Sequence, residues 1–129
     1  MIDAVIQRLT AQTQSFATIT HAQDQQPVDD LTSQTPLLGI FPGQDSTESD
    51  GTDFLESKML TIVVLVHMVC LIEELDTLKP ELRGAVIGWS PGAQYTDMEL
   101  VSGELLQLKG GLVWWEEKYS TRRLIREST

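Results

Sequence analysis

One cysteine, Cys70, is the only thiol in this 129-residue chain, which excludes an intramolecular disulfide framework and any cysteine cluster for zinc. Basic residues are scarce: nine Lys and Arg against nineteen Asp and Glu leave a formal net charge of −10. Affinity for phosphate backbones rests on clustered cations, so a general or sequence-specific nucleic-acid binder is disfavoured. Long apolar runs are missing too. The most apolar stretch, 59–72, contains Thr61 and His67 and falls short of the roughly 20 residues a spanning helix requires, so no membrane partner is expected. The opening MIDAVIQRLTAQTQ lacks a basic segment followed by an unbroken apolar run, and the expectation is a cytosolic protein without a secretory signal.

Catalytic spacings are also absent. There is no GxSxG elbow, no GxGxxG, no phosphate-cradling glycine loop and no HExxH. The Asp- and Ser-rich stretch around Gly51 invites an EF-hand reading, but placing Gly51 at loop position 6 puts Ser46 and Ser57 where the motif needs Asp and a bidentate Glu. His21 and His67 stand alone, and His67 continues an apolar run, as a core or strand-end histidine would. Cys70 has apolar surroundings and reads as a small buried hydrophobe. Glu73-Glu74 and Glu116-Glu117 are adjacent pairs; neighbours diverge on a helix or strand, so neither pair forms an acid/base couple. The expectation is a protein that is not an enzyme and holds no cofactor or metal.

What is present is a chain that is 41% hydrophobic and 22% charged, enough for one domain with its own core, 1–129. Its organising stretch is 98–125, two runs rich in Leu, Val, Trp and Tyr joined by Gly110-Gly111. That dipeptide supplies the positive φ values of a type I′ turn, so the segment reads as a long antiparallel hairpin. With Lys109 and Leu112 flanking the turn, Leu108 faces Val113, Gln107 faces Trp114 and Leu106 faces Trp115. One face then carries Leu100, Leu106, Leu108, Val113, Trp115 and Tyr119, a core face; the other mixes Val101, Leu105, Gln107, Lys109, Leu112, Trp114, Glu116 and Lys118.

Upstream, 2–14 spaces Ile2, Val5, Ile6 and Leu9 as one helical face. Residues 16–21 and 36–41 read as short strands, and 54–68 as a long strand apolar on both sides, the sheet centre. The stretch 44–53 has no apolar side chain and is expected to be a flexible acidic loop. Leu71, Leu75, Leu78, Leu82 and Val86 form a helical stripe with Pro80 inside it, either kinked or split at that proline. The expected class is α+β: a mainly antiparallel sheet of about four to five strands with two to three helices packed on it, closed by the long hairpin and a basic tail at about 120–129.

Charge is unevenly placed. Eight acids and no Lys or Arg lie between Asp24 and Glu56, among them Asp45, Glu48, Asp50 and Asp53, while the end holds Lys118, Arg122, Arg123 and Arg126. An acidic middle and a basic end can complement a second copy head to tail. At Gly88-Trp89-Ser90-Pro91, Leu100-Val101-Ser102-Gly103-Glu104-Leu105, the Gly110-Gly111 turn, Val113-Trp114-Trp115 and Thr121-Arg122-Arg123, the chain resembles the small tail terminator proteins of long-tailed bacteriophages, found in Mu-like and lambda-like tail modules. Pro80 and the acidic 45–53 loop depart from that pattern. The resemblance implies a structural virion protein: a ring of six copies that caps the tail tube, stops its growth, and joins the head connector or head-completion protein. It further implies assembly in the host cytoplasm, a place at the head-proximal end of the tail, and a lumen through which the genome passes. Acidic loops lining that lumen would repel DNA in transit. The residues expected at subunit or tube contacts are Leu105, Leu112, Trp114, Lys118, Arg122, Arg123 and Arg126 with Asp45, Glu48, Asp50 and Asp53. Another neck or head-tail completion protein is the alternative; a small cytosolic regulatory module or enzyme stands further off.

Overall fold

The computed structural model describes residues 1–21, 35–49 and 57–126, with the side chains of 48, 49, 57, 58, 125 and 126 left aside. Helix α1 (Ile2–Gln12) is followed by β1 (Thr18–His21), β2 (Leu37–Pro42), β3 (Ser46–Ser49), β4 (Ser57–Leu71), α2 (Leu75–Val86), β5 (Glu99–Lys109) and β6 (Leu112–Arg126). The strands form one sheet in the order β1-β2-β4-β6-β5, with β3 also pairing β4. Only β1 and β2 run parallel; every other pairing is antiparallel. The α+β class holds, with six strands.

Strand β4 is the spine because both its sides are apolar: Val64, Val66, Met68 and Cys70 point to one face and Val63, Leu65 and Val69 to the other. The helices cover the first face. Val5 and Leu9, one turn apart on α1, and Leu78, Leu82, Ala85 and Val86 on α2 meet Leu38, Ile40, Val66, Met68 and Tyr119 there. Each fully buried leucine of this layer contributes about 1.5–3 kcal/mol. Arg8 Nε donates to Ala85 O at 2.9 Å, tying the two helices together through an otherwise unpaired carbonyl of the last turn of α2.

The long strand ends later than its sequence pattern suggests. Leu71 is its last residue, not the first of the helical stripe, and 72–74 form a 3-10 turn into α2. Glu74 Oε1 accepts the Leu71 N–H at 3.1 Å, which marks that boundary. Pro80 lies within one continuous α2 and is exposed. The expected loop at 44–53 is in part strand. Ser46–Ser49 pairs with 58–61 of β4, because β2 stops at Pro42↔Val64 and leaves the first half of β4 without a partner on that side. Residues 50–53 lie outside the described residues. The basic tail is likewise strand as far as Arg126.

Gly110 and Gly111 turn the hairpin at φ +61 and +81, as a type I′ turn needs. The expected register holds for Lys109↔Leu112, Leu108↔Val113 and Gln107↔Trp114, then breaks. A bulge at Leu106 sets Leu105, not Leu106, opposite Trp115, and another follows at Val101. The core face expected for β6 is correct at Val113, Trp115 and Tyr119. On β5 it is not: Leu106 and Leu108 are 45% and 53% exposed, because neither helix reaches over that strand. Leu100 alone of its expected set packs against the core.

Candidate functional site

The face of the sheet turned away from the helices is only partly covered by the described residues: Leu37 and Val69 on it are buried, the rest is not. On it β6 sets Leu112, Trp114, Glu116 and Lys118, β4 sets Val63, Leu65 and His67, and β2 sets Phe41, all half-buried. His67 Nε2 lies 2.8 Å from Glu116 Oε2, and its ring packs on Phe41 with centroids 4.4 Å apart. The imidazole's partner is therefore a carboxylate and not a hydroxyl or thiol. Lys118 borders an open cavity of about 400 Å³ formed with Gly43, Gln44, Ser46, Val63 and Leu65. A flat apolar strip with isolated charges is suited to contact with protein rather than to holding a small molecule.

At one end this sheet narrows to three strands, β3, β4 and the last turn-free stretch of β6. Ser46 pairs with Thr61, and Thr61 pairs on its other side with Arg122. Among the described residues β3 thus forms one lateral edge, with Asp45 exposed beside it and Glu48 within it; on the other side of β4 the backbone of Arg122 and Arg123 in β6 is itself paired by 95–96, through the Tyr95↔Arg123 bridge and the Thr96 N–H donating to Arg122 O at 2.9 Å. Arg122 is exposed on the open face. Arg123 turns to the helix side, where its guanidinium lies over the Tyr95 ring at 5.8 Å. The side chains of Glu48 and Arg126, and all of Asp50 and Asp53, lie outside the described residues. Leu105 sits apart from both groups, 53% exposed on β5. Among the described residues the structure therefore brings Leu112, Trp114 and Lys118 onto one surface, with Asp45 exposed beside β3 and Arg122 exposed on β6 on the other side of β4.

Sequence reasoning missed Glu117. It is fully buried, and Arg83 from α2 grips it with Nη2 to Oε2 at 2.6 Å and Nε to the two oxygens at 3.0 and 3.2 Å. Tyr119 OH donates to Oε1 at 2.8 Å and the Trp115 indole N–H to Oε2 at 3.3 Å. Lys79 lies 3.8 Å above the Trp115 ring. The hydrogen bond to Glu117 holds the Arg83 guanidinium in its charged form beyond its ordinary range, while burial, then the Glu117 charge, pushes the Tyr119 phenol up. A carboxylate satisfied on all sides clamps α2 to the sheet. The alternation of β6 was the available signal, since 117 falls between Trp115 and Tyr119 on the core side.

Cys70 is buried, and burial, with Glu74 nearby, pushes its thiol up to about 11. Burial thus favours the neutral thiol over the nucleophilic thiolate. His21 bonds Asp3 at 2.6 Å, joining β1 to α1. Among the described residues no group of three His, Cys, Asp or Glu side chains is placed to hold a metal ion.

Comparison with known proteins gives the same direction. The family model described as "Phage tail terminator protein" matches residues 2–129. No curated protein matches. Among solved structures, a chain of the "Virion of native gene transfer agent (GTA) particle" superposes with a TM-score of 0.53 at 10% identity, covering 97% of this chain and 95% of that one, a likeness of fold.

Proposed function

The chain belongs to the phage tail terminator family, a structural family of the virion tail, and from that membership we propose that it closes into a ring, of six copies, on the end of the tail tube. There it stops addition of tube protein and offers the surface to which the head connector or head-completion protein binds, at the head-proximal end of the tail, after assembly in the host cytoplasm. The observation that supports a ring most directly is the pair of unlike margins on the narrow end of the sheet. A closed head-to-tail ring needs two different surfaces on every copy, and here Asp45 beside β3 and Arg122 on β6 are exposed on opposite sides of β4. In the ring Arg122, Arg123 and Arg126 lie near Asp45, Glu48, Asp50 and Asp53 of the next copy. The open face, with Leu112 and Trp114, is covered by a neighbouring copy or by the tube.

Sedimentation of the purified protein and electron microscopy of tails from an infected lysate test this reading. Arg122→Glu and Trp114→Ser each change an accessible side chain and leave the helix-side core intact. Both are expected to reduce the assembled mass, and tails made with either variant are expected to overgrow. Unchanged mass and unchanged tail length in both variants would remove the ring.

A further inference from the structure

Strand β5 is an open edge. Every residue from 101 to 109 is exposed, no described strand pairs with its outer side, and Leu105, Leu106 and Leu108 leave about half of their surface in water. Long apolar edges invite strand addition, and proteins usually protect them with charge or bulges. Two charges are present, Glu104 and Lys109, but their signs are opposite and their spacing is self-complementary. The bulge at Leu106 brings Leu105 and Leu108 onto the helix side, opposite Trp115 and Val113, while Glu104 and Lys109 share the open face, opposite Glu116 and Leu112.

We propose that β5 pairs antiparallel with β5 of a second copy about a two-fold axis between Leu106 and Gln107. In that register Glu104 faces Lys109 of the other copy, Leu105 faces Leu108, and each pair occurs twice. Both members of the Glu104–Lys109 pair and of the Leu105–Leu108 pair lie on the same side of the joined sheet. The Lys109 of the second copy also offsets the like charge of Glu116, which sits opposite Glu104 across β5 and β6 and is bonded to His67. The register that centres on Glu104 sets that carboxylate against itself. A two-fold contact closes at two copies, so this pairing is a property of the free protein and is distinct from a contact that runs round a ring. It stands without the ring.

Charge reversal tests the register. Below the concentration at which the ring assembles, the wild-type chain is expected to sediment at twice 14.4 kDa. Glu104→Lys alone, or Lys109→Glu alone, sets two like-charged pairs at the contact and is expected to weaken dimerisation about tenfold, the sum of two modest cross-strand terms. The double variant Glu104→Lys/Lys109→Glu restores it. Mixing the two single variants restores it as well, since every pair is then complementary, and the mixed dimer should outnumber either parent in native mass spectrometry. A monomer at all concentrations, single variants that dimerise as the wild type does, or a mixture with no preference for the mixed dimer would each overturn the pairing. So would a larger assembly whose mass none of these substitutions alters, which would leave the ring reading in place.

Discussion

Glu117 has exchanged all its water for protein: two nitrogens of Arg83, the Tyr119 hydroxyl and the Trp115 indole surround a fully buried carboxylate. Replacing it with alanine strands those donors, and the expected loss is about 3 kcal/mol, the low end for breaking a buried pair because Arg83 keeps some contact with solvent; urea unfolding measures it. Arg83→Met leaves the charge itself unpaired and is expected to cost at least as much. Two buried weak acids, Cys70 and Tyr119, set the alkaline limit. Burial raises the Cys70 thiol from 9.0 to about 11 and raises the Tyr119 phenol above its ordinary 10.0. The folded chain then keeps protons that the unfolded chain has released, so stability is full below about pH 9 and falls as pH rises beyond it. Unfolding midpoints recorded along that range should decline, with Cys70→Ala flattening the first part of the slope and Tyr119→Phe the later part. At this scale the sequence was only partly legible. Cys70 and the histidines were readable from their apolar or strand-like neighbours, whereas Glu117 looked like one of two equivalent adjacent acids, and its partner lies 34 residues away.

Strands β2 and β3 are two pieces of one interrupted strand along β4. Pro42 faces Val64 and Ser46 faces Thr61, four steps on one side against three on the other. Gly43 occupies the break, its N–H donating to Val63 O at 2.7 Å, and a Cβ added there would lie 2.5 Å from Val63 Cγ1. Gly43→Ala is therefore expected to lower stability by about 1–3 kcal/mol through overpacking. Gly84→Ala on α2, where nothing lies within 4 Å, should raise it by about 0.5–1 kcal/mol; thermal melts of the two variants should move in opposite directions. The elements with a strong period or a turn signal were visible in the sequence: α1, β4, α2 and the Gly110-Gly111 hairpin. Strand β3 was not, because STES offers no apolar side chain and its pairing comes from the unfilled backbone of β4. The bulge at Leu106 left no mark either, and it reverses which leucine of β5 faces the helix side.

Across the whole molecule, a chain of net charge −10 repels its own copies unless opposite margins are brought close. If the chain closes into the proposed ring through pairs such as Arg122 with Asp45 of the next copy, that ring should loosen as salt shortens the screening length from about 10 Å at 0.1 M to about 3 Å at 1 M. Light scattering across that range is expected to show falling mass, whereas a ring held by Trp114 and its apolar neighbours alone would not respond. The two adjacent tryptophans offer a way to watch this without labels. Trp114 stands on the open face and Trp115 on the helix side beside Lys79 and Glu117, so consecutive indoles sample opposite environments. With Trp89 and Trp115 changed to phenylalanine, the emission colour of Trp114 alone would move toward the blue when that face is shielded, giving each subunit an internal gauge of its own docking.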